Sequence, residues 1–315
     1  MAFPIYLSTR TISSAQNRLE AENRTSAHIE VHNIRVPLFY THPGIPIENR
    51  TRAVPYRGKG FIAEIEKFIT KTFIERQLWP KRILIVGAGT LSDIPIEVFE
   101  RCQEVVLADI DQETVIFGIK QLPPHYLKKV TIVIGDMSGV DFEQIIPLAA
   151  QDFEPFKIQE ILGSSLKPLP FKDCSFDAVV FCAVASSMNI GATRKINHLI
   201  EETLGLPLPR EEGHFSNGMP ELQPTEDLLR KILRHQVSEF SRYLMPGGTA
   251  IMTVTKSTEI RYQGGHTRTR EILPPAERVS AIVGHPQLSL EQGEEVAYAN
   301  ETISLLYERL VLKKR

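Results

Sequence analysis

Cysteine is scarce in this chain. Among 315 residues there are three, Cys102, Cys174 and Cys182. The odd count argues against a disulfide framework, the spacing fits no zinc knuckle, and a reducing compartment is implied. No HExxH motif occurs, so no metal is expected. A GxSxG elbow is also missing, and Cys182 has no neighbouring base in sequence, so nothing supports nucleophilic catalysis. Neither sign of charge dominates. Lys and Arg total 36 against 38 Asp and Glu, for a net charge of −2. Bulk electrostatics therefore do not favour nucleic acid, and Lys313-Lys314-Arg315 is too short for a basic tail. No apolar run approaches the roughly 20 residues of a membrane span. The N-terminal MAFPIYLSTR holds no apolar core of signal-peptide length, so a cytoplasmic protein without membrane attachment is expected. Internal repeats and low-complexity tracts are absent.

What remains is an ordinary globular composition, 42% hydrophobic and 23% charged, sufficient for one large α/β domain with additions. The organising stretch is Lys81 to Asp111, KRILIVGAGTLSDIPIEVFERCQEVVLADID. Ile83 to Val86 is a continuous apolar run, the mark of a buried parallel strand. Gly87, Ala88, Gly89 and Thr90 follow at once, small enough for a sharp turn and a close ligand. Ser92 or Asp93 is placed to cap a helix reaching about Arg101, with Pro95 in its first turn. A second apolar run, Val105 to Ala108, ends in Asp109. Strand, glycine turn, helix, strand and acid make a nucleotide-binding half-unit, the acid lying roughly 20 residues past the glycines where it can accept ribose hydroxyls.

Around this core the rest is read in order. Residues 1–58 form an N-terminal extension. A polar surface helix is predicted over Thr11 to about Glu30. A proline-rich extended segment follows over Val36 to Tyr56, and its Tyr40, with Tyr56 and Arg57, is placed to act as a lid. Phe61, Ile62, Ile65, Phe68, Ile69 and Phe73 recur at helical spacing, predicting a helix packed on the sheet edge beside the ligand. Gln112 to Gln121 reads as a second crossover helix closed by Pro123-Pro124. Val130 to Ile134 is a third strand, finishing at Gly135-Asp136-Met137. Residues 138–168 are an insertion with a helix over Phe142 to Ala150 and a short strand over Ile158 to Leu162. Pattern alone leaves open whether Asp136 or Ser164 closes the functional third strand. Phe176 to Cys182 is a fourth strand and Leu228 to Leu244 an amphipathic helix. Met245 to Gly248 is a turn, Thr249 to Thr255 a fifth strand, Ser257 to Gly293 polar loops, and Thr302 to Leu312 a closing strand. His198, His214, His266 and His285 fall in predicted loops on the ligand side, where a general base would stand.

The ordered set from Phe61 to Arg315 resembles the class I S-adenosylmethionine-dependent methyltransferases. Four pieces carry the resemblance: Ile83–Thr90, Asp109, Gly135-Asp136-Met137, and LPFKDCSFDAVV from Leu169 followed later by Leu244-Met245-Pro246-Gly247-Gly248. It implies a Rossmann-like α/β fold for residues 59–315, with a mostly parallel seven-stranded sheet, helices on both faces, an antiparallel final strand, and insertions near 138–168 and 257–300. It implies S-adenosyl-L-methionine as cofactor. Gly87, Ala88, Gly89 and Thr90 would lie against its methionine part, and Asp109, with Ile110 beside it, would hold the ribose. Asp136 and Met137 would flank the adenine, and Cys182 and Ala183 would stand near the amino group and the reacting methyl. Two departures mark this chain. Ile85 stands where members often carry an acid, and Leu91 where many have a third glycine. A fainter similarity of residues 160–186 to small-molecule N-methyltransferases points to a small acceptor. No catalytic residue is identified.

Three other readings stand beside methyl transfer. A related sulfonium-using transferase, of the aminopropyl or nicotianamine-synthase kind, would use acids such as Asp173, Asp177 and Glu211-Glu212 for its substrate. A nicotinamide oxidoreductase fits the glycine turn and Asp109 but not the Pro-Gly-Gly turn. A binding module that has lost catalysis is suggested by Ile85 and Leu91.

Overall fold

A computed structural model describes residues 26–40, 58–76, 79–140, 163, 166–169, 171–181, 226–261, 267–270, 280, 282, 284–299 and 303–315. Strands β1 (Ser26–Val31) and β2 (Ile34–Tyr40) are followed by helix α1 (Gly58–Glu75). Next come β3 (Arg82–Val86), α2 (Ile96–Arg101), β4 (Glu104–Asp109), α3 (Gln112–Ile119), a 3₁₀ turn (Pro124–Lys129) and β5 (Val130–Ile134). Then follow β6 (Phe176–Phe181), α4 (Glu226–Tyr243), β7 (Leu244–Arg261), β8 (Thr267–Arg270), β9 (Leu288–Ala299) and β10 (Ile303–Lys314).

One mixed sheet takes in every strand, in the order β1-β2-β5-β4-β3-β6-β7-β10-β9, with β8 paired to β7. From β2 through β7 each neighbouring pair is parallel, and β10 runs antiparallel between β7 and β9. The fold is Rossmann-like α/β, as expected, but among the described residues the sheet already has ten strands rather than seven. Leaving out β1, β2 and β8, seven strands remain, with the last in sequence antiparallel.

Continuous apolar runs build the parallel centre. Ile83, Leu84, Ile85 and Val86 are all at most 1% exposed, so β3 is covered on both faces. Strand alternation sorts the side chains. Ile83, Ile85, Val105, Leu107, Ile132 and Val180 share one cluster with Phe61, Ile65, Phe68, Ile69 and Phe73 of α1 and with Val98 and Val115. Leu84, Val86, Val106, Val133 and Val179 join Leu233, Val237, Phe240 and Tyr243 of α4 on the other face. Helix α1 therefore lies on a face of the sheet, not at its edge. Its aromatic row meets strand residues there, with Phe61 packing edge-to-face on Tyr298 and Tyr307.

Several local expectations are corrected. Of the surface helix predicted over Thr11 to about Glu30, residues 11–25 lie outside the described residues, and from Ser26 the chain is strand β1 instead. His32 and Asn33 take φ of 51° and 61°, the left-handed pair that turns a tight hairpin. Val36 and Leu38, 0% and 1% exposed, then hold β2 in the core. His28 and His32, four residues apart, stand on a strand and its turn, and no group of three or more metal-ligating side chains forms among the described residues. Neither Ser92 nor Asp93 caps α2. Residues 91–94 make a turn of their own, with the Ile94 N–H donating to the Leu91 carbonyl (3.2 Å), and Pro95 occupies the cap position with no side-chain bond. Helix α3 stops at Ile119, and the proline pair opens a 3₁₀ turn, because Pro is tolerated in a first turn where no N–H is needed.

The Met245–Gly248 turn lies inside β7 as a bulge. Phe176 pairs with Leu244 but Ala178 with Thr249, and Gly247 absorbs the excursion at φ 76°. The region expected as polar loops holds the end of β7, β8 and the start of β9. Strand β7 continues nine residues beyond Met252, the partner of Phe181, or about 30 Å at strand rise. The predicted elements over 142–150 and 158–162 lie outside the described residues. Among the described residues, no helix is long and apolar enough to cross a membrane.

Candidate functional site

The C-terminal ends of β3, β4 and β5 adjoin, and the backbone joins them. Leaving β3, Gly87 (φ 71°) and Gly89 (φ 50°) take left-handed conformations open to glycine at no steric cost. The Gly87 and Ala88 N–H groups both donate to the Ala108 carbonyl of β4, at 2.7 and 3.2 Å. Among the described residues, a Cβ on Gly89 would meet nothing nearer than the Gly87 carbonyl oxygen at 3.8 Å. Leu91, where a third glycine was expected, also has φ 60°. A leucine here bears strain of order 1–3 kcal/mol, and its side chain, 7% exposed, packs into the core. Beneath it stands Gly118 of α3, where any Cβ would lie 2.7 Å from the Thr90 backbone and 2.9 Å from the Leu91 side chain. The missing side chain lets α3 approach the turn.

Asp109 ties the turn to its neighbours. Its Oδ2 accepts the Gly89 N–H (2.8 Å) and its Oδ1 the Asp111 N–H (2.9 Å), while its own carbonyl accepts the Gly135 N–H (2.9 Å). One residue thus binds the ends of all three strands. It is 8% exposed, a buried brace rather than the exposed strand end that its place at the close of a run suggests. A carboxylate offers about four acceptor positions, so a group of this kind can serve the backbone and a ligand hydroxyl together. Asp111 caps α3: its Oδ1 accepts the Thr114 N–H (3.2 Å) and its Oδ2 the Thr114 hydroxyl (2.7 Å). Ile110, half-buried, lies between the two acids.

On the β5 side, Asp136 Oδ1 accepts the Ser138 N–H (2.8 Å) and Ser138 Oγ the Val140 N–H (3.2 Å). Asp136 is half-buried; Met137, 5% exposed, sits in the cluster shared with α4. Cys182, Ala183 and Ser164 lie outside the described residues, as do His198, His214 and His266. Sequence reasoning missed Gly118, Leu91 as a left-handed position, and the α4 residues Gln236 and His235. A glycine inside a helical stretch was the available signal for Gly118; nothing in the sequence marked the other contacts.

Other candidates fall at the opposite edge of the sheet. Asp177 Oδ2 accepts the N–H of Arg82, the first residue of β3 (2.7 Å). Asp173 pairs with Arg242 at the end of α4. These two acids brace strand starts, and Glu211-Glu212 lie outside the described residues. His285 stands two residues before Gln287, whose carbonyl accepts the Arg315 N–H (3.0 Å), again away from the glycine turn. Burial pushes its imidazole below the usual range. Cys102 is inert, since burial pushes its thiol up to about 12.

No protein-family model and no curated protein matches the sequence. Solved structures do resemble the fold. A SAM-dependent methyltransferase from Methanosarcina mazei is 14% identical, with 77% of this chain and 96% of that one covered at a TM-score of 0.44. An S-adenosylmethionine-dependent methyltransferase from Clostridium acetobutylicum is 12% identical, with coverages of 83% and 99% and a TM-score of 0.44. A glycopeptide N-methyltransferase, solved in complex with S-adenosyl-L-methionine, is 14% identical, with coverages of 78% and 86% and a TM-score of 0.41. At such identities and scores the likeness is one of overall fold, and no residue role rests on it.

Proposed function

We propose that this chain transfers a methyl group from S-adenosyl-L-methionine to a small-molecule acceptor. The observation that carries the reading is Asp109, which binds the glycine turn, the following acidic loop and the start of the Gly135 loop into one unit at the C-terminal edge of a parallel sheet. In sheets of this kind ligands bind outside that edge.

The residues present suit the cofactor. At Gly89 a Cβ would meet no described residue closer than 3.8 Å, which suits a methionine part lying along the backbone of Gly87–Thr90. Asp109, at the end of β4, is an acceptor of the kind a ribose diol needs, and the Asp136 carboxylate suits an exocyclic amine at the adenine edge. Ile110 and Met137 would flank the base, and Cys182 and Ala183 would lie toward the reacting end. Bound there, the cofactor supplies a methyl group already activated by its sulfonium. The protein's part is then to align the acceptor and exclude water, which can yield most of the rate without an acid or base of its own. The small acceptor and the cytoplasmic location rest on sequence alone.

Calorimetry with S-adenosylmethionine and S-adenosylhomocysteine tests the reading, with saturable heat expected for both. No heat for either at high protein concentration would sink it. Product mass then separates the reactions. A gain of one methyl group agrees with the proposal, and a larger addition moves the chain to the related sulfonium transferases.

A further inference from the structure

We propose that Gln236 of α4 is a positioning residue for the nucleobase side of this site, acting through its hydrogen bond to the Met137 carbonyl. The inference rests on the cofactor reading given above and extends it to a helix that touches no proposed ligand atom.

The loop after β5 is held both from within and from α4. It follows a strand end and carries Asp136 two residues on. Inside the loop, Asp136 accepts the Ser138 N–H and Ser138 in turn accepts the Val140 N–H. These short-range bonds set the local turn, and two further bonds tie the loop to its surroundings. On the sheet side the Gly135 N–H is held by the Asp109 carbonyl at 2.9 Å. On the helix side Gln236, 1% exposed, donates through Nε2 to the Met137 carbonyl at 3.2 Å. A buried amide placed against a loop carbonyl fixes orientation, because rotation away leaves that carbonyl unsatisfied.

The neighbouring residue completes the mount. His235 Nε2 stands 2.9 Å from the Lys167 carbonyl, and the Lys167 N–H donates to the Gly139 carbonyl at 2.6 Å. Gly139 has φ 75°, and a Cβ there would stand 2.5 Å from His235 Nε2. Helix, Lys167 segment and loop thus fit with no room for a side chain at Gly139. Consecutive residues of α4 grip the loop on both sides of Ser138, which is itself 0% exposed. The direction of the Asp136 carboxylate follows from this mount, and with it the discrimination of an exocyclic amine from a carbonyl at the base edge.

The test compares affinities for S-adenosylhomocysteine and S-inosylhomocysteine, which differ at that exocyclic group, in the full chain and in Gln236→Met and Gln236→Glu. The ratio of the two affinities is insensitive to the folded fraction of each preparation. Loss of one positioning hydrogen bond should lower the ratio roughly three- to tenfold, while affinity for the inosyl compound changes little. An unchanged ratio in both variants, or a parallel fall of both affinities, overturns the role of Gln236. Failure of the wild-type chain to bind either nucleoside overturns the cofactor reading itself. A wild type that prefers the adenosyl compound, beside variants that keep the preference, removes only Gln236.

Discussion

Asp109 shows how a residue placed correctly in sequence can have a fuller role in space. The order of strand, turn and acid located it, but not its burial or its two backbone donors. Asp109→Ala removes a partner from the Gly89 and Asp111 N–H groups together, so it should lower stability by roughly 1–3 kcal/mol as well as weaken nucleoside binding. Asp111→Ala removes a helix cap, costing about 1 kcal/mol, and should leave affinity nearly unchanged. Denaturant midpoints paired with titration of S-adenosylhomocysteine check both. A fully stable Asp109→Ala would contradict the brace. Leu91 teaches a complementary lesson. The missing third glycine looked like a loss, yet the backbone keeps the left-handed turn and accepts a leucine in it. Sequence gave no sign of this, because the compensation comes from core packing and from Gly118 across the gap.

Legibility of the elements followed their burial. Strands β3 to β6 and helices α1 and α4 were visible because both sheet faces and one helix face must be apolar. Strand β9, LSLEQGEEVAYA, hid because it lies at the sheet edge with most residues exposed, so only a weak alternation survives. Helix α4 ends in a network whose pH response is fixed by its partners. Burial works against the Glu239 charge, but hydrogen bonds from Arg242, Tyr243 and the Leu169 N–H outweigh it and hold its carboxyl below its ordinary 4.5. A depressed folded pKa stabilises above the unfolded value, and that stability disappears as pH falls through the folded one. Wild type should therefore melt above Glu239→Gln near neutrality. The gap should narrow as pH drops below about 4.5, as thermal melts across pH 3–7 would record. A gap of constant size would remove the charge from the explanation.

Across the whole molecule, sheet order was the part the sequence implied least directly. The edge hairpin of β1 and β2 and the short β8 widen the sheet beyond the seven strands that the resemblance implied. Their signals are weak because β1 shows one face to the core and β8 spans only Thr267–Arg270. The placing of β10 between β7 and β9 has a further bearing on how the chain is made. As the ribosome releases the chain from its N-terminal side, β9 emerges before the strand that connects it to the sheet. Until residues 303–315 have cleared the exit tunnel, β7 presents an open flank and β9 has no template, so the nascent protein carries two unmatched ladders at once. A ribosome-bound nascent chain that ends at residue 302 and is followed by an unstructured linker long enough to carry β9 clear of the tunnel should be cut by protease within β9, and the same arrangement ending at Arg315 should resist. Equal protection at both lengths would mean that β9 docks without its central partner.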